Sequence, residues 1–151
     1  MHFKDYFSQQ SSDYAKYRPE YPQELFEFII KQVKNKEICW DCATGNGQAA
    51  VSLAKYFEKV IATDASSAQL NNVVKCPNID YNHASAYDSH INSHSIDLIT
   101  AAQAIHWFEF NDFFSEVNRV AKPDALIAIW GYGFQNISPT IDPIVLKLYE
   151  D

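Results

Sequence analysis

The residues best suited to chemistry lie in one stretch, Asp41-Cys42-Ala43-Thr44-Gly45-Asn46-Gly47-Gln48-Ala49-Ala50. A short apolar run, Ile38-Cys39-Trp40, precedes it, and helical spacing begins at Gln48. Glycines between a strand and a helix permit a tight turn and let a ligand approach the backbone closely. The helix beyond them presents unpaired N–H groups. Read alone, Gly45-x-Gly47-x-x-Ala50 satisfies the dinucleotide fingerprint. A second apolar run, Val60-Ile61-Ala62-Thr63, ends in Asp64, 23 residues beyond Asp41, where a carboxylate can accept both hydroxyls of a ribose. Asp41 weighs on the ligand's charge. An acid just before the loop repels a pyrophosphate and attracts a cation, such as an amino group or a sulfonium.

Other reactive residues carry less. Cys39-Trp40-Asp41-Cys42 has CxxC spacing, but strand positions 39 and 42 point to opposite faces and no second pair exists. His106-Trp107 offers a base or substrate contact beside a pocket wall. The chain has only two arginines. Arg18, among tyrosines and beside Pro19, is placed to bind a carboxylate, whereas Arg119 reads as a helix-end cation. His83, His90 and His94 read as surface residues, and no metal set is found.

These residues need a scaffold. Helical spacing over Leu25, Phe28, Ile29 and Val33 predicts a first helix from Gln23, and Ala50, Leu53, Ala54 and Phe57 share a face of the second. Strands are predicted at 38–40, 60–64, 79–84 (polar, hence an edge), 96–102 and 126–130. Ser66 or Ser67 would cap a short helix through Leu70 and Val73, and Asn111 or Asp112 one bearing Phe113, Phe114, Val117, Val120 and Ala121. Lys122-Pro123-Asp124 reads as a turn, and a last helix begins near Asp142. Alternating strands and helices predict an α/β, Rossmann-like, doubly wound and mainly parallel sheet with helices on both faces. Residues 1–22, rich in tyrosine and broken twice before proline, form a cap or lid segment ahead of one domain over 23–151. Ligands of such sheets bind at the carboxyl ends of the strands, here carrying Asp41, Gly45, Asp64, Ser85, Ala86, Ala102 and Gln103.

Composition sets outer bounds. At 151 residues, 47% hydrophobic and 21% charged with 4 Gly, the chain is neither disordered nor repetitive, and it can bury a core. A formal charge of −7 with no basic run disfavours nucleic acid and anionic membrane as partners. Three cysteines, an odd number, argue against a disulfide framework and for a cytoplasmic location. No signal-like or bilayer-length apolar segment is present.

Four blocks in order resemble the class I S-adenosylmethionine-dependent methyltransferases, in the small-molecule group related to trans-aconitate methyltransferases. They are Tyr14 to Pro22, Asp41 to Gln48, Ser95 to Phe108 with its His-Trp pair, and Glu116 to Pro123. The resemblance implies S-adenosylmethionine as cofactor and methyl transfer to a small molecule, a carboxylate among the candidates. It implies that the Asp41–Gly47 loop, including Ala43, Gly45 and Gly47, runs along the methionine half. Asp64 would hold the ribose, with Ala65, Ser85 and Ala86 bordering the adenine. Ala102 and Gln103 would line the methyl-bearing end, and Arg18 would help close the site. His106 and Trp107 would face the acceptor. Ala43 replaces a usual glycine, harmless if φ there is negative, and Asp124 replaces another. Further helices and a closing hairpin, usual in the family, have no counterpart here, which leaves strand five as an edge that favours self-association. Asn-Pro-Pro-Tyr, common where nucleic acid or protein is methylated, is replaced by Ala101-Ala102-Gln103-Ala104. Two alternatives stay open: an NAD(P)-binding Rossmann domain using the same loop, and a catalytically impaired cofactor-binding fragment.

Overall fold

The computed structural model describes residues 20–133 and 138–147. Among these residues five helices and five strands alternate in the main. They are α1 (Gln23–Ile30), β1 (Ile38–Cys42), α2 (Gln48–Leu53), β2 (Lys59–Asp64), α3 (Ser67–Leu70), β3 (Ile79–His83), β4 (Ile96–Ala102), α4 (Phe110–Val120), β5 (Ala121–Trp130) and α5 (Asp142–Lys147). A single 3-10 turn, Ile105–Trp107, links β4 to α4. The sheet order is β3-β2-β1-β4-β5, and every pairing is parallel. The chain therefore winds one way from β1 to β3 and returns to β4 on the other side of β1. At such a reversal, outside the carboxyl ends of β1 and β4, open parallel sheets take their ligands.

Two apolar layers hold the sheet. On one face Phe26, Ile29, Ile30 and Val33 pack with Ala49, Ala50, Leu53 and Phe57 onto Cys39, Val60, Ala62 and Leu98. On the other, Phe113, Val117 and Val120 of α4 cover Trp40, Cys42, Ile99 and Ala101. The three central strands β1, β2 and β4 are largely buried on both sides, as the middle of a parallel sheet requires. Cys39 and Cys42 fall in different layers, so the CxxC spacing makes no single site.

Several sequence expectations shift in detail. Phe28 is exposed (65%), and Phe26 takes its place in the core. The buried set Phe26, Ile29, Ile30 and Val33 follows the i, i+3, i+4, i+7 stripe more closely than the set starting at Leu25. The helix expected through Val73 ends at Leu70. Helix α4 begins at Phe110 behind Glu109, so neither Asn111 nor Asp112 is its cap. Lys122-Pro123-Asp124 continues β5 rather than turning. Proline lacks an N–H, and it fits where the β4–β5 register shifts between Ile96 and Leu98. Lys122 is held there by Glu37 (2.7 Å) and Asp97 (2.9 Å). As expected, β3 is an edge strand; among the described residues β5 is the other edge.

The β3–β4 connection is pinned by one carboxylate. Glu116 of α4 accepts hydrogen bonds from the Ser89 amide (2.8 Å), the Ser89 hydroxyl (2.5 Å) and Arg119 (2.7 Å). Arg119 beside it pulls the Glu116 carboxyl down to about 2 against the burial that would raise it. Arg119 is thus a structural cation, as its place near the helix end suggested. Among the described residues no helix is long and apolar enough to cross a membrane.

Candidate functional site

The glycine loop turns because three successive odd positions adopt left-handed backbone: Ala43 (φ 53°), Gly45 (φ 59°) and Gly47 (φ 87°). Gly47 is required twice over. Its φ favours glycine, and a Cβ there would run into the Tyr81 hydroxyl of β3. Ala43 sits in the left-handed region, against the expectation of a negative φ, so the extra methyl carries a backbone cost.

Two acids bracket this loop. Asp64, at the end of β2, accepts the Gly45 amide (2.8 Å) on one oxygen and the Ser66 amide (2.8 Å) on the other. Asp41, at the end of β1, accepts the hydroxyls of Thr44 (2.5 Å) and Thr100 (2.7 Å). The loop is further tied to β2 by the Thr44 amide donating to the Thr63 carbonyl (2.9 Å). Parallel β1–β2 pairing, with Cys42 opposite Thr63, fixes both acids at one rim. Asp41 is 1% exposed, and burial pushes its carboxyl up to about 6 against the hydrogen bonds that lower it, with Asp64 adding repulsion. A buried carboxylate so perturbed, at a strand-order reversal, is a functional-site signature.

The remaining expected residues distribute along the same rim. Ala65 follows Asp64, and its carbonyl lies 2.9 Å from His83 Nε2. Ser85 and Ala86 follow β3, whose last residue pairs with Asp64; the Ser85 hydroxyl accepts the amides of Tyr87 (3.3 Å) and Asp88 (3.1 Å). Ala102 ends β4, and Gln103 beyond it adopts φ 56°, again left-handed, with its amide donating to the Trp130 carbonyl (2.9 Å). His106 and Trp107 occupy the 3-10 turn with ring centroids 4.9 Å apart, and Trp107 is 56% exposed. Arg18 lies outside the described residues.

The sequence does not single out the polar residues that support the rim: Thr44 and Thr100, which hold Asp41, and Thr63, which accepts the Trp40 indole N–H at 2.9 Å. Nor does it single out Asn46 or Trp130: Asn46 Oδ1 and Trp130 Nε1, like Nε2 of the expected Gln103, are buried with no hydrogen-bond partner among the described residues. Asn46 was visible as the residue between the glycines. Trp130 carried no signal beyond its place at a strand end. An acceptor in the loop and two donors past β4 and β5 are the complement of a ligand bearing both an amino group and a carboxylate. Concavity alone points elsewhere. A hollow of about 530 Å³ is lined by His106, Phe108, Glu109, Phe110, Asn111 and Asp112, and one of about 330 Å³ by residues along β3 and the following loop. The charge and hydrogen-bonding pattern favours the rim, because the larger hollow has no residue of the loop in its wall.

Comparison with known proteins bears on the family and the fold. A family model described as a methyltransferase domain matches residues 40–129. A Dictyostelium discoideum protein provisionally named a methyltransferase is 38% identical over 95% of this chain and 55% of its own length. The Saccharomyces cerevisiae protein CRG1, provisionally named an S-adenosylmethionine-dependent methyltransferase, is 33% identical over 82% of this chain and 45% of its own length. A solved structure from Anaeromyxobacter dehalogenans, titled a type II methyltransferase, superposes with a TM-score of 0.78 at 37% identity, covering 89% of this chain and 57% of that one. The chain spans about half the length of the curated relatives it matches.

Proposed function

This chain belongs to the class I S-adenosylmethionine-dependent methyltransferases, and we propose that it transfers a methyl group from that cofactor to a small molecule bearing a carboxylate. The observation that carries the reading is the pair of acids that bracket one loop: Asp64 fastened to the Gly45 amide, and Asp41 buried with its carboxyl pushed up to about 6. A sulfonium and an amino group are cations, and a cation near Asp41 favours its charged form. The dinucleotide alternative asks a pyrophosphate to sit beside two carboxylates, and the family match gives it no support.

The roles follow from position. Asp64 takes the ribose hydroxyls while still holding the loop, since each carboxylate oxygen has a second lone pair. Ala65, Ser85 and Ala86 border the adenine. Ala43, Gly45 and Gly47 bring backbone against the methionine half, where Asn46 Oδ1 offers an acceptor for the amino group. Ala102 and Gln103 line the end where the methyl is delivered. His106 and Trp107 wall the acceptor, and Arg18 pairs with its carboxylate. The bound cofactor supplies a methyl on a positively charged sulfur, and the protein's task is alignment and exclusion of water. Orientation of this kind is worth roughly 7–11 kcal/mol of barrier. An ionised carboxylate acceptor needs no general base, so His106 would contact rather than deprotonate it.

Calorimetric titration of the chain with S-adenosylmethionine and S-adenosylhomocysteine tests the binding half. Saturable heat with both is expected, and NADH fluorescence is expected to stay unchanged. Release of S-adenosylhomocysteine on adding small carboxylates tests the transfer half; binding without release would reduce the chain to a cofactor-binding domain. No heat with either ligand would end the proposal.

A further inference from the structure

We propose that the Trp130 indole N–H, together with the Gln103 carboxamide, binds a carboxylate oxygen on the β4–β5 side of the rim; this rests on the cofactor-site reading above. Trp130 closes β5 in register with Ala102, and its carbonyl accepts the Gln103 amide at 2.9 Å. Its ring is clamped edge-on by Tyr21 (centroids 5.6 Å, 88°) and Phe26 (6.1 Å, 88°). The indole is therefore held in place before any ligand arrives. Yet its Nε1 is buried with no hydrogen-bond partner among the described residues. The contrast with Trp40 is direct: that indole, fully buried where Trp130 is partly so, donates to Thr63 at 2.9 Å. Proteins rarely leave a buried N–H unmet, because the group loses water and gains nothing.

Gln103 repeats the pattern on the adjacent strand end. Its Nε2 is buried and unpartnered, and its φ of 56° is a strained choice for a residue with a Cβ. Strain of this kind persists where the surroundings demand it, and such places cluster at ligand sites. The two rim halves thus differ in kind. The ends of β1 and β2 carry carboxylates whose oxygens already accept hydrogen bonds. The ends of β4 and β5, Ala101 to Gln103 and Trp130 to Gly133, carry no charged side chain and two unmet donors. A negative oxygen is repelled from the first half and accommodated by the second. That oxygen belongs either to the amino-acid end of the cofactor or to the methyl acceptor.

Proton–nitrogen spectra of the full chain read this directly. The three tryptophans give three indole signals, and Trp130→Phe identifies the one in question. The probes are S-adenosylhomocysteine, its decarboxylated analogue, and propane-1,2,3-tricarboxylate added to the S-adenosylhomocysteine complex. If the cofactor is the source, S-adenosylhomocysteine moves the Trp130 indole proton downfield and the decarboxylated analogue does not. Trp130→Phe and Gln103→Leu then each weaken S-adenosylhomocysteine about five- to tenfold while leaving the analogue's affinity unchanged. If the acceptor is the source, the signal moves only when tricarboxylate is added, and the variants weaken that step alone. The Trp40 signal stays still in both cases. Should Trp130→Phe fail to fold, Trp107→Phe removes the exposed indole and leaves two signals, of which one must move, and Gln103→Leu supplies the affinity readout. A Trp130 signal unmoved by all three probes, with variant affinities equal to wild type, overturns the proposal. Failure of the cofactor reading registers separately, as absence of S-adenosylhomocysteine binding by the unaltered chain.

Discussion

Replacing Asp41 by asparagine should stabilise the protein at neutral pH and weaken its grip on the cofactor. The carboxyl, 3.8 in an open chain, titrates at about 6 in the fold, chiefly because burial penalises its charge. Between those values the native state holds a proton that the unfolded chain has released. Stability from this group therefore falls as pH rises from about 4 and is fully lost above about 6. At roughly 1.4 kcal/mol per pKa unit, the interval between 3.8 and about 6 amounts to about 3 kcal/mol. Asparagine keeps the shape. Its oxygen can accept one threonine hydroxyl and its amide can donate to the other, so Thr44 and Thr100 both keep a partner. Urea denaturation of Asp41→Asn and wild type in parallel from pH 4 to pH 8 measures the difference. Carboxylates elsewhere tilt both curves alike and cancel. The variant should match wild type near pH 4 and exceed it by up to about 3 kcal/mol at pH 7.5. The same substitution should lower S-adenosylmethionine affinity, and wild type should lose affinity as pH drops below about 6. A stability difference flat across pH would refute the reasoning, since it would mean that Asp41 is not the titrating group.

Three further outcomes are expected. Glu116→Gln should cost about 2 kcal/mol at pH 7, because a carboxyl held near 2 contributes stability above its ordinary 4.5 that is lost as pH falls through that range; parallel denaturation at pH 7 and pH 3 should show the gap closing. Ala43→Gly should raise stability by roughly 0.5–1 kcal/mol and the melting temperature by about 2–4 °C, since left-handed backbone costs alanine more than glycine's extra chain entropy. Gly47→Ala should lose about 2 kcal/mol or more by thermal unfolding, and Tyr81→Phe added to it should recover part of that loss, because the clash is with the phenol oxygen.

Much of this architecture was legible before any coordinates. Strand runs such as Ile38 to Trp40 and Val60 to Ala62 are apolar throughout, and a parallel sheet covered on both faces is the structure that demands this. The acids at 41 and 64 could be placed because strand ends are fixed by where the apolar run stops. Boundaries governed by local competition were harder. Phe26 and Phe28 are both apolar, and only the exact start of α1 after Pro22 decides which one turns inward. The proline at 123 announces a turn locally, yet a register shift at the sheet's edge absorbs it. Threonines 44, 63 and 100 look like ordinary strand and turn residues; their role exists only once β1, β2 and β4 lie side by side. Trp130 is the extreme case. Its significance is an unmet hydrogen bond, a quantity that no residue pattern encodes.

The central claim is that the glycine loop and its two acids embrace a sulfur nucleoside above the carboxyl ends of β1 and β2. A crystal structure of the chain grown with S-adenosylhomocysteine tests it most directly. The account predicts ribose hydroxyls on the Asp64 carboxylate and the sulfur end lying along the backbone from Ala43 to Gly47. A nucleoside seated instead in the hollow between His106 and Asp112, with the loop untouched, would contradict it.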